Sequence, residues 1–242
     1  MDDAARPVAP SRAYANYVLG VLVLVYVINY VDRQLISILI EPIKAEFGAS
    51  DAQMGILTGF AFAIFYTVAG IPVARLADVW LRRSVIAIGL AVWSGMTALT
   101  GLSRSFSELW LARIGVGIGE AGGTPPSHAI LSDYFPPDRR ASVLGIFSLG
   151  VPIGTLVGYS LGGWIGEHFG WRAAFLWIGL PGLALAGLVR LTVREPPRGV
   201  FDQPRPPSAR VSAGQVFRHL FALRTFRWIV PGVSLAAFSG YG

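Results

Sequence analysis

Six apolar segments, each about as long as a bilayer is thick, limit what this chain can fold into. They cover residues 14–40, 51–74, 84–102, 109–131, 141–166 and 171–193. About 20 helical residues, each rising 1.5 Å, cross the ~30 Å hydrocarbon core of a membrane. The sequence therefore predicts an all-α membrane protein with a six-helix transmembrane bundle over residues 14–193.

Two pairs of charged residues interrupt these segments. Arg113 and Glu120 lie in the fourth segment, and the neighbours Asp32 and Arg33 lie in the first. The spacing of Arg113 and Glu120 is close to two helical turns, so they share a face about 10 Å apart along the axis. Four unpaired charges in lipid would cost roughly 12 kcal/mol, comparable with the stability of a whole domain. We therefore expect these side chains to face each other or water, as in a substrate or ion pathway.

Depth along the helices indicates how the four charges work together. For straight helices, Asp32 lies between Glu120 and Arg113 in height, and Arg33 lies near Arg113. We expect Asp32 to be the first proton site, Glu120 its partner, and the two arginines switching counter-ions. A carboxylate that loses its arginine favours the protonated form, and a proton on it frees that arginine for an anionic substrate. The alternative is that these are structural ion pairs that only fix helix packing.

Composition excludes a soluble protein. The chain is 53% hydrophobic and only 14% charged, whereas soluble domains carry about 25% charged residues. The net charge of +6 comes from basic residues between the apolar segments, which favours membrane topology over nucleic-acid binding. The absence of cysteine excludes disulfides and thiolate metal sites. We expect no metal and no cofactor. The basic residues are arginines except Lys44, which indicates a bacterial gene of high G+C content.

The basic residues also predict orientation. They concentrate in the tail, residues 1–13, in the second and fourth loops, and in the linker, whereas the other three loops hold only Lys44, Arg104 and Arg172. By the positive-inside rule the amino terminus is cytoplasmic. The sequence predicts a multi-pass protein of the bacterial inner membrane.

Beyond the bundle, the sequence predicts a cytoplasmic linker over residues 194–223. Its end is amphipathic, which is typical of a short helix in the membrane interface. Residues 224–242 are predicted to be an incomplete seventh transmembrane helix, because the apolar run stops before the bilayer is crossed. We therefore expect the chain to be truncated.

Small residues recur every four positions in two of the segments. The second has Gly55, Gly59, Ala63 and Thr67, and the fifth has Gly150, Gly154, Gly158 and Gly162. Five glycines, counting Gly166, would cost an exposed helix several kcal/mol at about 1 kcal/mol each. Such stripes are therefore expected to pack closely against another helix.

The loop motif Arg75-Leu-Ala-Asp78-Val-Trp-Leu-Arg82-Arg83 resembles the signature of the major facilitator superfamily. Asn29-Tyr-Val-Asp32-Arg33, the run from Arg113 to Glu120, and a glycine-rich fifth helix with Pro152 are similar to the spinster subfamily of lipid transporters. This resemblance implies the amino-terminal half of a transporter. It also implies that helices two and five face a missing carboxy-terminal half, and that Asp78, Arg82 and Arg83 form a cytoplasmic gate. Such a gate would stabilise the outward-open state, although these residues also fit a simple topology signal.

The implied partners are the lipid bilayer, protons and a lysolipid substrate. The related organic anion:cation symporters carry a similar Asp-Arg pair, so a small organic anion is the alternative substrate. Arg33 and Arg113 suit a carboxylate or phosphate in either case.

Two other function classes remain. His128 and Asp133 have the His-x4-Asp spacing of lipid acyltransferases, in which histidine is the base and aspartate orients it. Such an enzyme would also need a soluble domain for its thioester donor. The third class is a passive channel or scaffold, which predicts flux without an ion gradient or no flux.

Overall fold

The computed structural model describes residues 10–202 and 213–241, and every regular element within these ranges is a helix. The prediction of an all-α chain is therefore confirmed. The chain divides into two compact units after Asp202. The helices of the first unit are α1 Arg12–Ile38, α2 Ile40–Phe47, α3 Asp51–Gly55, α4 Phe62–Val79, α5 Arg82–Leu102, α6 Phe106–Glu120, α7 Thr124–Tyr134, α8 Pro137–Ser148, α9 Gly150–Val157, α10 Gly163–Phe169 and α11 Trp171–Thr192.

Five helical stretches of the described residues are long and apolar enough to cross a membrane. They are Arg12–Ile38, Asp51–Val79, Arg82–Leu102, Pro137–Phe169 and Trp171–Thr192. Two of them contain a π-helical segment, Ile56–Ala61 between α3 and α4 and Gly158–Gly162 between α9 and α10. These stretches correspond to five of the six predicted spans.

The fourth span is two helices instead of the continuous helix that apolarity predicts. Helix α6 ends at Glu120, and the amides of Gly122 and Gly123 each bond to a carbonyl three residues earlier. Helix α7 then begins at Thr124, with Pro125 and Pro126 in its first turn. Proline is tolerated there because first-turn amides have no partner within the helix. The joint lies directly after a charged residue of the predicted site.

Helix α5 packs closely on its neighbours through glycine. A methyl group on Gly119 of α6 would lie 2.6 Å from the backbone nitrogen of Trp93, and one on Gly179 of α11 would lie 2.6 Å from that of Ala98. Neither position has room for a residue larger than glycine. Helices α5, α6 and α11 are thereby held in fixed registration.

The fifth-helix glycines pack against α1. A methyl group on Gly154 would lie 2.5 Å from the Val27 carbonyl oxygen and 2.6 Å from Cβ of Tyr30. Gly150, Gly158 and Gly162 meet other residues of α1 at 2.6–3.0 Å. The glycine stripe therefore packs within this unit, and the expectation that the helix faces a missing half stays a prediction for its opposite face. The stripe lets the backbones of this helix and α1 approach each other closely. The opposite face of the helix is open, and Leu156 on it is 69% exposed.

The second span has a different environment. Gly55 and Gly59 have no atom within 4 Å of an added methyl group, and Ala63 and Thr67 are exposed. Its small-residue stripe is therefore open rather than packed closely in this unit. The span does begin as the sequence predicts, because Ser50 Oγ accepts from the Gln53 amide while Gln53 Oε1 accepts from the Ser50 amide. It extends to Val79, so Asp78 belongs to its last turn.

The start of the predicted linker is part of the first unit. The Tyr14 hydroxyl accepts a hydrogen bond from the Arg194 amide at 2.8 Å, and the Tyr134 hydroxyl donates to the Arg194 carbonyl at 2.8 Å. The second unit contains α12 Ala213–Ala222 and α13 Arg224–Tyr241, whose Phe221 and Phe226 rings are in edge contact. Most of the predicted tail, residues 1–9, and the linker residues 203–212 lie outside the described residues.

Candidate transport site

The structure brings the four predicted charges together as two ion pairs. Arg33 donates to Glu120 Oε2 from Nε at 2.8 Å and from NH2 at 2.6 Å, which is a two-point contact. Arg113 NH1 lies 3.4 Å from Asp32 Oδ2. The residues Asp32, Arg113 and Glu120 are at most 3% exposed. A buried charge is tolerated when it is paired, so the neutral cluster explains how these residues fit inside the bundle.

Each of the two ion pairs joins α1 to α6. The neighbours Asp32 and Arg33 point to different sides of α1 and pair with residues seven positions apart on α6. The depth argument placed Arg33 near Arg113, whereas its guanidinium pairs with Glu120. Straight-helix heights describe Cα positions, and an arginine side chain extends about one further helical turn.

Aromatic rings surround the Arg33–Glu120 pair. The Arg33 guanidinium carbon lies 5.1–5.5 Å from the ring centres of Tyr30, Phe62 and Tyr66. The Phe62 ring is also 5.3 Å from the guanidinium of Arg113. One ring of α4 therefore contacts both cations, where a cation–π contact stabilises charge away from water. Sequence reasoning missed these rings, although Phe62 and Tyr66 have the spacing of one helical face.

Helix α5 supplies a further partner. The Thr97 hydroxyl lies 2.8 Å from Asp32 Oδ1 and 2.9 Å from the Trp93 carbonyl. Its single hydrogen serves one acceptor at a time, so Thr97 can donate to Asp32 or to its own helix. Within the described residues, Arg113 Nε and Glu120 Oε1 are buried without a hydrogen-bond partner. The cluster therefore retains unused hydrogen-bonding capacity.

A second ion-pair network joins the end of the bundle where the linker begins. Arg82, 5% exposed, pairs with Asp133 of α7 and, from Nε at 2.8 Å, with Glu195. The other oxygen of Glu195 accepts from the Arg83 amide at 2.9 Å. The other oxygen of Asp133 accepts from the Gly199 amide at 2.9 Å. The residues that follow α11 thus tie α5 to α7.

The predicted gate residues are divided in this structure. Arg82 and Arg83 belong to the network above, whereas the Asp78 carboxylate is exposed and makes no ion pair within the described residues. The Asp78 backbone carbonyl accepts from Arg198, which also donates to the carbonyls of Ala77 and Trp80. Arg198 therefore caps the end of α4. Sequence reasoning missed Glu195 and Arg198, and the signal was two acidic residues, Glu195 and Asp202, in an otherwise basic linker.

The acyltransferase interpretation is wrong. The Asp133 oxygens are occupied by Arg82 and Gly199, and the His128 ring packs against Phe147 at 5.2 Å between ring centres. A histidine base needs its aspartate within hydrogen-bond reach, and a spacing of five residues places the two on different helix faces.

The family of the chain is evident from similar proteins. Residues 22–242 match the family model described as Major Facilitator Superfamily. An MFS-type efflux pump of Mycolicibacterium smegmatis is 39% identical over 96% of this chain and 53% of the relative. A sphingosine-1-phosphate transporter of Danio rerio is 31% identical over 76% of this chain and 37% of the relative.

A solved structure agrees in fold. The inward-facing, unoccupied crystal structure of a bacterial homologue of the human lysosomal transporter spinster has a TM-score of 0.84 and 38% identity to this chain. The match covers 96% of this chain and 54% of that one, so the chain spans about half the length of these relatives. The predicted fold and spinster resemblance are confirmed, and the relatives are transporters and not enzymes. The chain belongs to the Major Facilitator Superfamily, where its relatives include the spinster proteins.

Proposed function

We propose that this chain is the amino-terminal half of a secondary active transporter that works by alternating access. The observation that most supports this proposal is the buried cluster of Asp32, Arg33, Arg113 and Glu120. Paired charges inside a bundle are typical of substrate and ion pathways. The half-length match to transporters and the unpartnered face of the second span support a missing carboxy-terminal half. Alternating access needs two such bundles around a central site.

The substrate we propose is a lipid-like or small molecule with an anionic group. Relatives are named for sphingosine-1-phosphate in Danio rerio and for hexuronate in Bacillus subtilis, and both molecules are anions. Arg33 and Arg113 suit such a group because guanidinium binds carboxylate and phosphate through two parallel hydrogen bonds. A lysolipid is our first candidate and a sugar acid or similar organic anion is the second. Uptake of both by the full-length protein in liposomes distinguishes them.

The proposed coupling is exchange of a proton for an arginine. Protonation of Asp32 removes the charge that holds Arg113, and protonation of Glu120 does the same for Arg33. The freed arginine then binds the anionic group of the substrate. Phe62 contacts both guanidinium groups and limits how far each moves. Substrate and protons therefore compete for, or exchange through, one network.

The test is pH-gradient-driven uptake by the full-length transporter in liposomes. Asp32→Asn and Glu120→Gln are expected to reduce driven uptake at least about tenfold while substrate binding remains. Arg113→Ala is expected to lose both, with binding weakened roughly 10- to 100-fold because a charged hydrogen bond is removed. Asp51→Asn is the matched control, since that carboxylate is 90% exposed and pairs with Lys44 outside the cluster.

Normal coupling of uptake to the pH gradient in both carboxylate variants would contradict the proposal and show that these charges have a structural role. A passive channel would instead give flux of unchanged rate when the pH gradient is removed.

We also propose that Asp78 acts in the gate of the full-length protein. Its exposed carboxylate at the end of α4 is available to basic groups of the missing half, and such bonds would stabilise the outward-open state. Asp78→Asn is expected to lower the outward-open population roughly tenfold. Distances between spin labels in the two halves measure this population, and exposed Asp138→Asn is the control. An unchanged distance distribution contradicts the proposal.

The proposed location is the bacterial inner membrane with a cytoplasmic amino terminus. The chain has no cysteine, so single cysteines report topology directly. We expect an impermeant thiol reagent to label Ala45→Cys from outside in intact cells and to label Ala13→Cys only after lysis. The reverse pattern would invert the orientation.

A further inference from the structure

A small cleft lies beside the charge cluster, between α1, α5, α7 and α8. Polar side chains of Asn29, Trp93, Thr124 and Ser127 line it, together with the rings of Tyr26 and Phe147. These rings are stacked with centres 4.4 Å apart and form one wall. The volume of about 10 Å³ is at the lower limit for a single water molecule.

The polar groups of the cleft are buried and incompletely bonded. Trp93 is 1% exposed, and its indole Nε1 has no hydrogen-bond partner within the described residues. Leaving such a donor unsatisfied costs about 1–3 kcal/mol. Asn29 is 5% exposed and Ser127 is 2% exposed. The Ser127 hydroxyl donates to the Gly123 carbonyl at 2.7 Å, which leaves its oxygen free to accept.

The cleft is one helical turn from both charged pairs. On α1, Asn29 precedes Asp32 and Arg33 by three and four positions, so it lies below them on the same face. On the other wall, Gly123 bonds to the Glu120 carbonyl at 3.0 Å and itself lines the cleft. Thr124 and Ser127 lie in the first turn of α7, directly after the joint that follows Glu120. A neutral polar layer therefore follows the charged layer toward the linker end of the bundle.

Glu120 has one carboxylate oxygen that is free to take part in proton transfer. Its Oε2 accepts from Arg33, whereas its Oε1 is buried without a partner within the described residues. The other charged or titratable groups near this pair are Tyr30, Asp32, Tyr66 and Arg113, and none of them hydrogen-bonds Oε1.

We propose that the cleft binds one water molecule, donated to by the Trp93 indole N–H and held by Asn29, Thr124 and Ser127, and that this water carries protons between Glu120 and the predicted cytoplasmic side. The inference rests on the proton coupling proposed above. Two to four polar partners are what a buried water requires.

The proton balance is simple. The carboxyl O–H bond of Glu120 breaks as its proton passes to the water oxygen, and the water releases one of its own protons to solvent water at the predicted cytoplasmic end. The water is regenerated, and the carboxylate left behind pairs with Arg33. Proton uptake is the reverse.

Trp93→Phe tests this in the full-length transporter, because it keeps an aromatic ring and removes the N–H donor, together with part of the ring volume. We expect pH-gradient-driven uptake to fall about tenfold, the change that corresponds to one lost hydrogen bond. Counterflow, in which labelled and unlabelled substrate exchange without net proton movement, is expected to stay at the wild-type rate. Asn29→Leu is expected to lower driven uptake and to leave counterflow unchanged in the same way. It tests the water site if Trp93→Phe does not fold. Trp177→Phe, on an exposed indole of α11, is the control.

The outcomes separate the two proposals. Equal loss of driven uptake and counterflow would give Trp93 a structural role and overturn the water site. Unchanged driven uptake in both variants would also overturn it. Wild-type uptake that is indifferent to the pH gradient would instead overturn the proposed coupling itself.

Discussion

Arg82 shows what one residue contributes when its charge is buried between two carboxylates. Its guanidinium contacts Asp133 and Glu195 and also donates to the carbonyls of Ala129 and Pro196. Removing one member of a buried ionic network leaves the others desolvated and unpaired. Its importance is therefore structural in this conformation, at the junction of α5, α7 and the linker.

Arg82→Gln is expected to destabilise the full-length protein by about 3 kcal/mol, because Asp133 and Glu195 lose their common partner. Thermal unfolding of the purified transporter in detergent, followed by tryptophan fluorescence, measures the change. Exposed Arg139→Gln controls for removing a basic residue. Equal melting temperatures for Arg82→Gln and the wild type would show that the network contributes no net stability.

At the scale of elements, the two small-residue stripes behave differently although their sequences look alike. The fifth-helix stripe allows α9 to approach the α1 backbone, whereas in the second-helix stripe nothing lies within 4 Å of a methyl group added at Gly55 or Gly59. Periodicity identifies a face that packs closely but does not identify its partner, because the partner is set by the arrangement of all six spans.

Gly154→Ala tests the packed stripe. The added methyl group would lie 2.5 Å from the Val27 carbonyl oxygen, so α9 and α1 must separate, and such overpacking costs about 1–3 kcal/mol. We expect a lower melting temperature of the full-length transporter. Gly187→Ala is the matched control because nothing lies within 4 Å of its methyl group. Equal effects of the two changes would contradict close packing at Gly154.

At the scale of the whole molecule, the first unit contains the charge cluster and one helical bundle. A midplane site becomes alternately accessible only when two bundles rock about it. The exposed second span and the half-length match to transporters both fit a second bundle.

The 242-residue chain alone is therefore expected to give no gradient-driven transport in liposomes. Tracer uptake of a lysolipid and of an organic anion measures this, with the full-length protein as the positive control. Saturable, gradient-driven flux by the chain alone would show that one bundle is sufficient.

The sequence alone determined which segments enter the membrane and which charges must be neutralised there. Both follow from local quantities, because segment length sets bilayer crossing and the cost of burying charge applies wherever Asp32, Arg33, Arg113 and Glu120 lie in an apolar run. The resemblance to the superfamily also came from local motifs.

The tertiary structure decided which residues contact each other. Arg33 pairs with Glu120 across 87 positions, Arg82 with Glu195 across 113, and the Phe62 ring with two cations from separate helices. The exposure of Asp78 likewise depends on the arrangement of the helices. Side-chain reach and backbone approach are properties of packed helices, and a periodic pattern specifies only the face that each helix presents.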